Sequence, residues 1–116
     1  MTLQEIVDTF GLEVVSGQEN LDRNVEHGYA SDLMSDVIAN AQEGDLWITL
    51  QIHVNVVAVA VMKNLSGIIL IGGRRPEEAT LKKAHEEHMP ILTSRLSAFE
   101  MAGRLYSAGI TGHEDA

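Results

Sequence analysis

The chain has 116 residues, 45% of them hydrophobic, which suits one domain with one core and excludes a disordered segment. Eight Lys and Arg stand against 17 Asp and Glu, a formal charge of −9. That balance excludes a nucleic-acid or anionic-membrane surface, but not a small phosphate ligand held by backbone amides and one or two arginines. Cysteine is absent, so disulfides, thiol chemistry and thiolate metal sites are excluded, in keeping with a reducing cytoplasm.

The N-terminus, MTLQEIVDTF, carries acids and alternates apolar with polar residues, which does not read as a signal peptide. Leu3, Ile6, Val7 and Phe10 recur at helical spacing, and Gly11 follows as a stop. Residues 12–16, LEVVS, read as a short strand, then GQENLDRN turns and VEHGYA is a second, weaker strand. A helix follows over SDLMSDVIANAQEG, with Ser31 or Asp32 as cap, Leu33, Val37, Ile38 and Ala41 on one face, and Gly44 at its end.

Residues 45–50, DLWITL, read as a buried strand, and residues 67–72, GIILIG, as another. The β-branched run between them favours a strand by composition. Two buried strands so spaced need a crossover, so HVNVVAVAVMKN is read as a helix. Its apolar stretch falls far short of the roughly 20 residues a membrane helix needs. A Gly turn then leads to a helix with Pro76 at its first position. MPILTS gives another strand, and LSAFEMAGRLYSAG a last helix with Leu96, Phe99, Met101 or Ala102, and Leu105 inward.

The alternation predicts an α/β fold, a single-layer, mainly parallel sheet flanked by helices, over one domain at 1–110 with a flexible tail at 111–116. The expected core is Ile6, Val14, Leu33, Val37, Leu46, Ile48, Val57, Val61, Ile68, Ile69, Leu70, Ile91, Leu92, Phe99 and Leu105. Trp47 alternates with Leu46 and Ile48, so it lines the opposite buried face or a subunit interface. VEHGYA is an edge strand whose free backbone groups suit a partner.

Ligands of open α/β sheets bind where strands end and helices begin. Three such junctions are readable: Thr49, Gln51 and His53; Gly72, Gly73, Arg74 and Arg75; and Thr93, Ser94 and Arg95. A candidate crevice joins Tyr29, Ser31, Asp32, Thr49, Gln51, His53, Gly72, Gly73 and Arg74. Each junction also has a plain reading as a turn or cap, and GGRRP lacks the spacing of a phosphate loop. His85 and His88, three apart on a charged helix, read as a solvated face rather than a metal site. No nucleophile–base–acid set assembles and no cofactor is implied, so the reading leans away from an enzyme. A small hydrolase using His53 with Asp32 or Ser31 is the weakest alternative.

The order of segments resembles the DRTGG domain family. The resemblance runs from LDRNVEHGYASD through GDLWIT and GIILIGG to PILTS. The name-giving motif falls on Asp22, Arg23 and Gly28, with His27 where the family has its first glycine. The resemblance implies a fold like the N-terminal domain of HPr kinase/phosphorylase. It also implies an accessory role, since such domains stand beside CBS domains in pyrophosphatases and before phosphotransacetylase domains. The expectation is a cytoplasmic, homodimeric regulatory module acting with a partner protein. The alternative is a sensor of a nucleotide or phosphorylated metabolite. Asp22 and Arg23 are expected to fix a turn, pairing with each other or with nearby backbone, and Gly28 to permit close backbone approach.

Overall fold

The computed structural model describes residues 1–114. Helix α1, Leu3–Phe10, starts in a capping box: Thr2 Oγ1 accepts from Glu5 N–H and the Glu5 carboxylate accepts from Thr2 N–H. Gly11, left-handed at φ 64°, closes it and leads to β1, Glu13–Ser16. A 3-10 turn, Gln18–Asn20, precedes β2, Gly28–Ala30, and α2, Met34–Asn40. The rest alternates as expected: β3 Leu46–Thr49, α3 Asn55–Met62, β4 Gly67–Leu70, α4 Glu78–Glu86, β5 Ile91–Thr93 and α5 Ala98–Ser107.

The sheet runs β1-β5-β4-β3-β2. β2 to β5 are parallel, and β1 pairs antiparallel with β5. In register, Trp47 faces Tyr29 and Ile68, and Ile68 faces Ile91. Side chains alternate across a strand, so each strand feeds two cores. Trp47, Ile68, Leu70 and Ile91 pack with Val37, Val56, Val57 and Ala84 from α2, α3 and α4. Leu46, Ile48, Ile69 and Leu92 pack with Leu3, Ile6, Met101 and Leu105 from α1 and α5. Burial on both faces is why the central strands read as unbroken apolar runs. Trp47 accordingly lines the face opposite Leu46 and Ile48.

Several local expectations are corrected. α2 starts at Met34 with Leu33 as N-cap, and Asp32 does not cap it; Ser31 Oγ accepts from Leu33 N–H. α2 ends at Asn40, because Ala41 is already extended, so Gly44 lies beyond it. Pro76 precedes α4 by two residues, and Glu77 is the N-cap. Leu33, Val61 and Phe99 are 68%, 40% and 88% exposed, not core. Leu33 stands where the chain turns into α2. At 100° per residue, Val61 is rotated away from the Val56–Ala60 face, and Phe99 points opposite Met101. Ile38, beside buried Val37, is exposed for the same reason. Val14 is only half-buried, packed on the rim of the α1–α5 core.

In the LDRN segment Asp22 and Arg23 do not pair with each other. Arg23 Nη1 donates to Leu65 O and Ser66 O at 3.4 and 3.2 Å, clamping the loop before β4, while Asp22 is exposed. Gly28 is not a close-approach position, since a Cβ there would meet its neighbours at 3.5 Å or more. That role belongs to Gly17, at φ 71°, where a Cβ would lie 2.3 Å from Pro90 N.

β2 is an edge strand, but it is partly covered: Gly28 N–H donates to Thr111 O at 3.0 Å. His113 Nε2 lies 2.7 Å from Asp45 Oδ1. The expected tail at 111–116 is thus in contact with β2 and the start of β3 over 111–114, and 115–116 lie outside the described residues. Among the described residues no helix is long and apolar enough to cross a membrane.

Candidate functional site

The parallel strands all point their C-terminal ends to one rim of the sheet, and the sequence-predicted site residues fall on that rim in two groups. The first group closes the ends of β2 and β3. Asp32, just past β2, accepts from Thr49 Oγ1 at 2.9 Å and from Leu50 N–H at 2.8 Å. Gln51 Nε2 donates to Asp32 O, and Gln51 N–H to Thr49 Oγ1. Ser31 O accepts the indole N–H of Trp47 at 2.8 Å. His53 Nδ1 accepts from Asn55 N–H, which makes it a cap on the first turn of α3.

Tyr29 donates its hydroxyl to both Asp36 oxygens at 2.9 Å, and Asn40 Nδ2 donates to Asp36 Oδ1 at 2.8 Å. The Ser31 hydroxyl, then Asn40 and Tyr29, hold the Asp36 carboxyl below its ordinary value. Burial, then the hydrogen bond to Asp36 and the Asp36 charge, push the Tyr29 phenol upward, so it stays a donor. Six predicted site residues therefore bond to one another or to adjacent backbone and α2. This end is stitched shut.

The second group opens a cleft of about 500 Å³ beyond β4 and β5, against the end of α1 and one side of α5. Arg74, Arg75, Arg95 and Arg104 line it, with Gly73, Thr93, Ser94, Phe10 and the single acid Glu13. Half of the chain's eight cations thus meet in one place. Gly72 and Gly73 both take positive φ, 65° and 73°, and turn the chain out of β4. Their N–H groups donate to Leu96 O and Ser94 O, which fixes the two loops against each other.

The arginines are not equivalent. Arg75 holds Glu13 at 2.9 Å; that contact lowers the Glu13 carboxyl and raises the Arg75 guanidinium from their ordinary values. Arg104 reaches Glu100 at 3.5 Å. Arg74 and Arg95 have no ion-pair partner among the described residues. Of the predicted crevice, Gly73 and Arg74 line this cleft and Gly72 braces it; the six residues of the β2–β3 end do not. Arg104, Phe10 and Glu13 were missed as site residues. Arg75 and Arg95 were legible only as polar residues at strand ends, with nothing in their spacing to join them.

A third polar cluster was also missed. Asp45 is 1% exposed; its carboxylate meets His113 Nε2 and accepts from Gln42 N–H at 2.9 Å. The His113 ring lies 4.4 Å from that of His27, which in turn contacts Thr111 O. His27 thus packs on the C-terminal segment. Among the described residues, no group of three or more His, Asp or Glu is placed to hold a metal ion.

The DRTGG domain family matches residues 5–108. A search of curated proteins found no match. Among solved structures, the chain is similar to the CBS and DRTGG domains of the regulatory region of Clostridium perfringens pyrophosphatase, complexed with the activator diadenosine tetraphosphate. The two share 19% identity with a TM-score of 0.72; the likeness covers 94% of this chain and 47% of that one, so this chain spans about half its length.

Proposed function

This chain belongs to the DRTGG domain family, and on that premise we propose that it is a non-catalytic regulatory and interaction module, homodimeric, acting with a partner protein in the cytoplasm. The observation that carries the dimer is α3. Its sequence, NVVAVAVM, is apolar nearly all round, and a helix of that kind is normally covered on every side. Here one side packs on the sheet, while Ala58, Val61 and Met62 remain exposed. Ile38 and Leu33, on the neighbouring α2 and its cap, add apolar surface. A second copy covering this face would bury it without any new fold. The self-satisfied β2–β3 end supports the non-catalytic part of the reading.

Analytical ultracentrifugation at micromolar concentration tests this. The expected result is a dimer that Val61→Lys together with Met62→Glu converts to a folded monomer. A monomeric wild-type chain overturns the homodimer.

A second reading, a sensor of a nucleotide or phosphorylated metabolite, is favoured by the arginine-lined cleft. It also agrees with the activator-bound state of the similar regulatory region. In this reading the ligand site is the β4–β5 end rather than the whole rim.

A further inference from the structure

We propose that the arginine cleft and the apolar shelf beside it form one two-part site for a nucleoside polyphosphate; this rests on the sensor reading and names its ligand class. The shelf lies between the end of α1 and α5, a hollow of about 570 Å³ lined by Thr9, Phe10, Phe99, Gly103 and Arg104 among others. It shares Phe10 and Arg104 with the arginine cleft, so the two are continuous. Each has the size of an ordinary small-ligand pocket.

The chemistry of the two halves differs in the way such a ligand differs along its length. In the cleft, Arg74 and Arg95 present guanidinium groups with no ion-pair partner among the described residues, and their forked N–H donors match phosphate oxygens. Arg75 and Arg104 are engaged only by exposed carboxylates, Glu13 and Glu100, in contacts that a phosphate can replace at small cost. Four arginines against two lining acids, Glu13 and Glu100, leave a net positive site that suits more than a single phosphate.

On the shelf, Phe99 is 88% exposed, although it sits on a helix whose Met101 and Leu105 are fully inside. Gly103, one turn further along α5, carries no side chain and has open space where a Cβ would go. Phe99 and Phe10 both line the shelf, so a planar ring seated there has aromatic surface to stack on. The −9 charge of the chain selects a small ligand over a nucleic-acid strand, whose long phosphate backbone would be repelled by so acidic a protein.

Isothermal titration with inorganic tripolyphosphate, ATP, GTP and adenosine separates the parts. The expected order has ATP or GTP binding about tenfold more tightly than tripolyphosphate, from ring stacking, with adenosine weakest. Phe99→Ala should remove the nucleotide advantage and leave tripolyphosphate binding as it was. Arg74→Ala with Arg95→Ala should abolish both, with an unchanged melting curve as the folding control. Equal affinity for tripolyphosphate and nucleotides, insensitive to Phe99→Ala, overturns the two-part site and leaves the sensor reading standing. Nucleotide binding unaffected by the double arginine variant places the ligand elsewhere and overturns the site. Absence of binding by all four probes overturns the site and the phosphate-sensor reading together.

Discussion

β3 and β4 are neighbours, each buried over four residues, and both run into polar junctions at the same rim of the sheet. Their ends are opposite in character. Beyond β3, Asp32 gathers the Thr49 hydroxyl and the Leu50 amide, and Gln51 returns to Asp32, so the polar groups consume one another. Beyond β4, paired glycines turn the chain outward, and Arg74 has no carboxylate partner among the described residues. A polar strand end is therefore not by itself a binding site. What distinguishes the two is whether the polar side chains already have partners within the fold.

That contrast can be attacked by mutation, beginning with the closed end. Trp47→Ala removes a fully buried indole, together with its hydrogen bond to Ser31 O, and should cost about 3–5 kcal/mol in chemical denaturation. A loss below about 1 kcal/mol would mean that β2 is not held by this contact. Asp32→Ala strips acceptors from the buried Thr49 hydroxyl and from Leu50 N–H, and should cost about 1–2 kcal/mol, discounted for the exposure of Asp32. The open end should behave otherwise. Arg74→Ala and Arg95→Ala should each stay within about 0.5 kcal/mol of the parent, since neither guanidinium has a partner to lose. If the arginines proved as costly as Asp32, the two ends would not differ as described.

The smallest effect is a pH dependence on α2. Asp36 is held below its ordinary value of 3.8 by Ser31, Asn40 and Tyr29. A carboxyl depressed in the folded state adds stability that is complete above its unfolded value and is lost as pH falls through the folded value. Melting temperature should therefore fall as pH drops below the ordinary aspartate range, and Asp36→Asn should flatten that limb slightly. An identical acid limb in the variant would remove Asp36 from the account.

How much of this was readable in advance depended on the range of the interaction involved. α1 was legible from the spacing of Leu3, Ile6, Val7 and Phe10 and from Gly11, because helical period and a glycine stop are local, and α3 from the need to cross between two buried strands. Leu33 misled because the helix was started too early, which put a residue that lies outside α2 on its apolar face, and Phe99 because it was turned inward together with Met101, which lies about 200° round the helix from it. Asp32 was read as a cap because Ser and Asp before a helix usually are. The group it binds, Thr49 with Leu50, lies 17 and 18 residues further on. His113 was assigned to a loose tail, yet Asp45, its partner, is 68 residues away.

The sequence by itself determined the elements and their order, because hydrophobic period, caps and turns act over a few residues, and that order of segments carried the resemblance to the family. The tertiary structure decided which polar groups pair and which are left free. Glu13 neutralises Arg75 across 62 residues, while Arg74, Arg95 and Arg104 come to one cleft from three separate segments. Charge acts through distance in space, and only the folded sheet sets those distances.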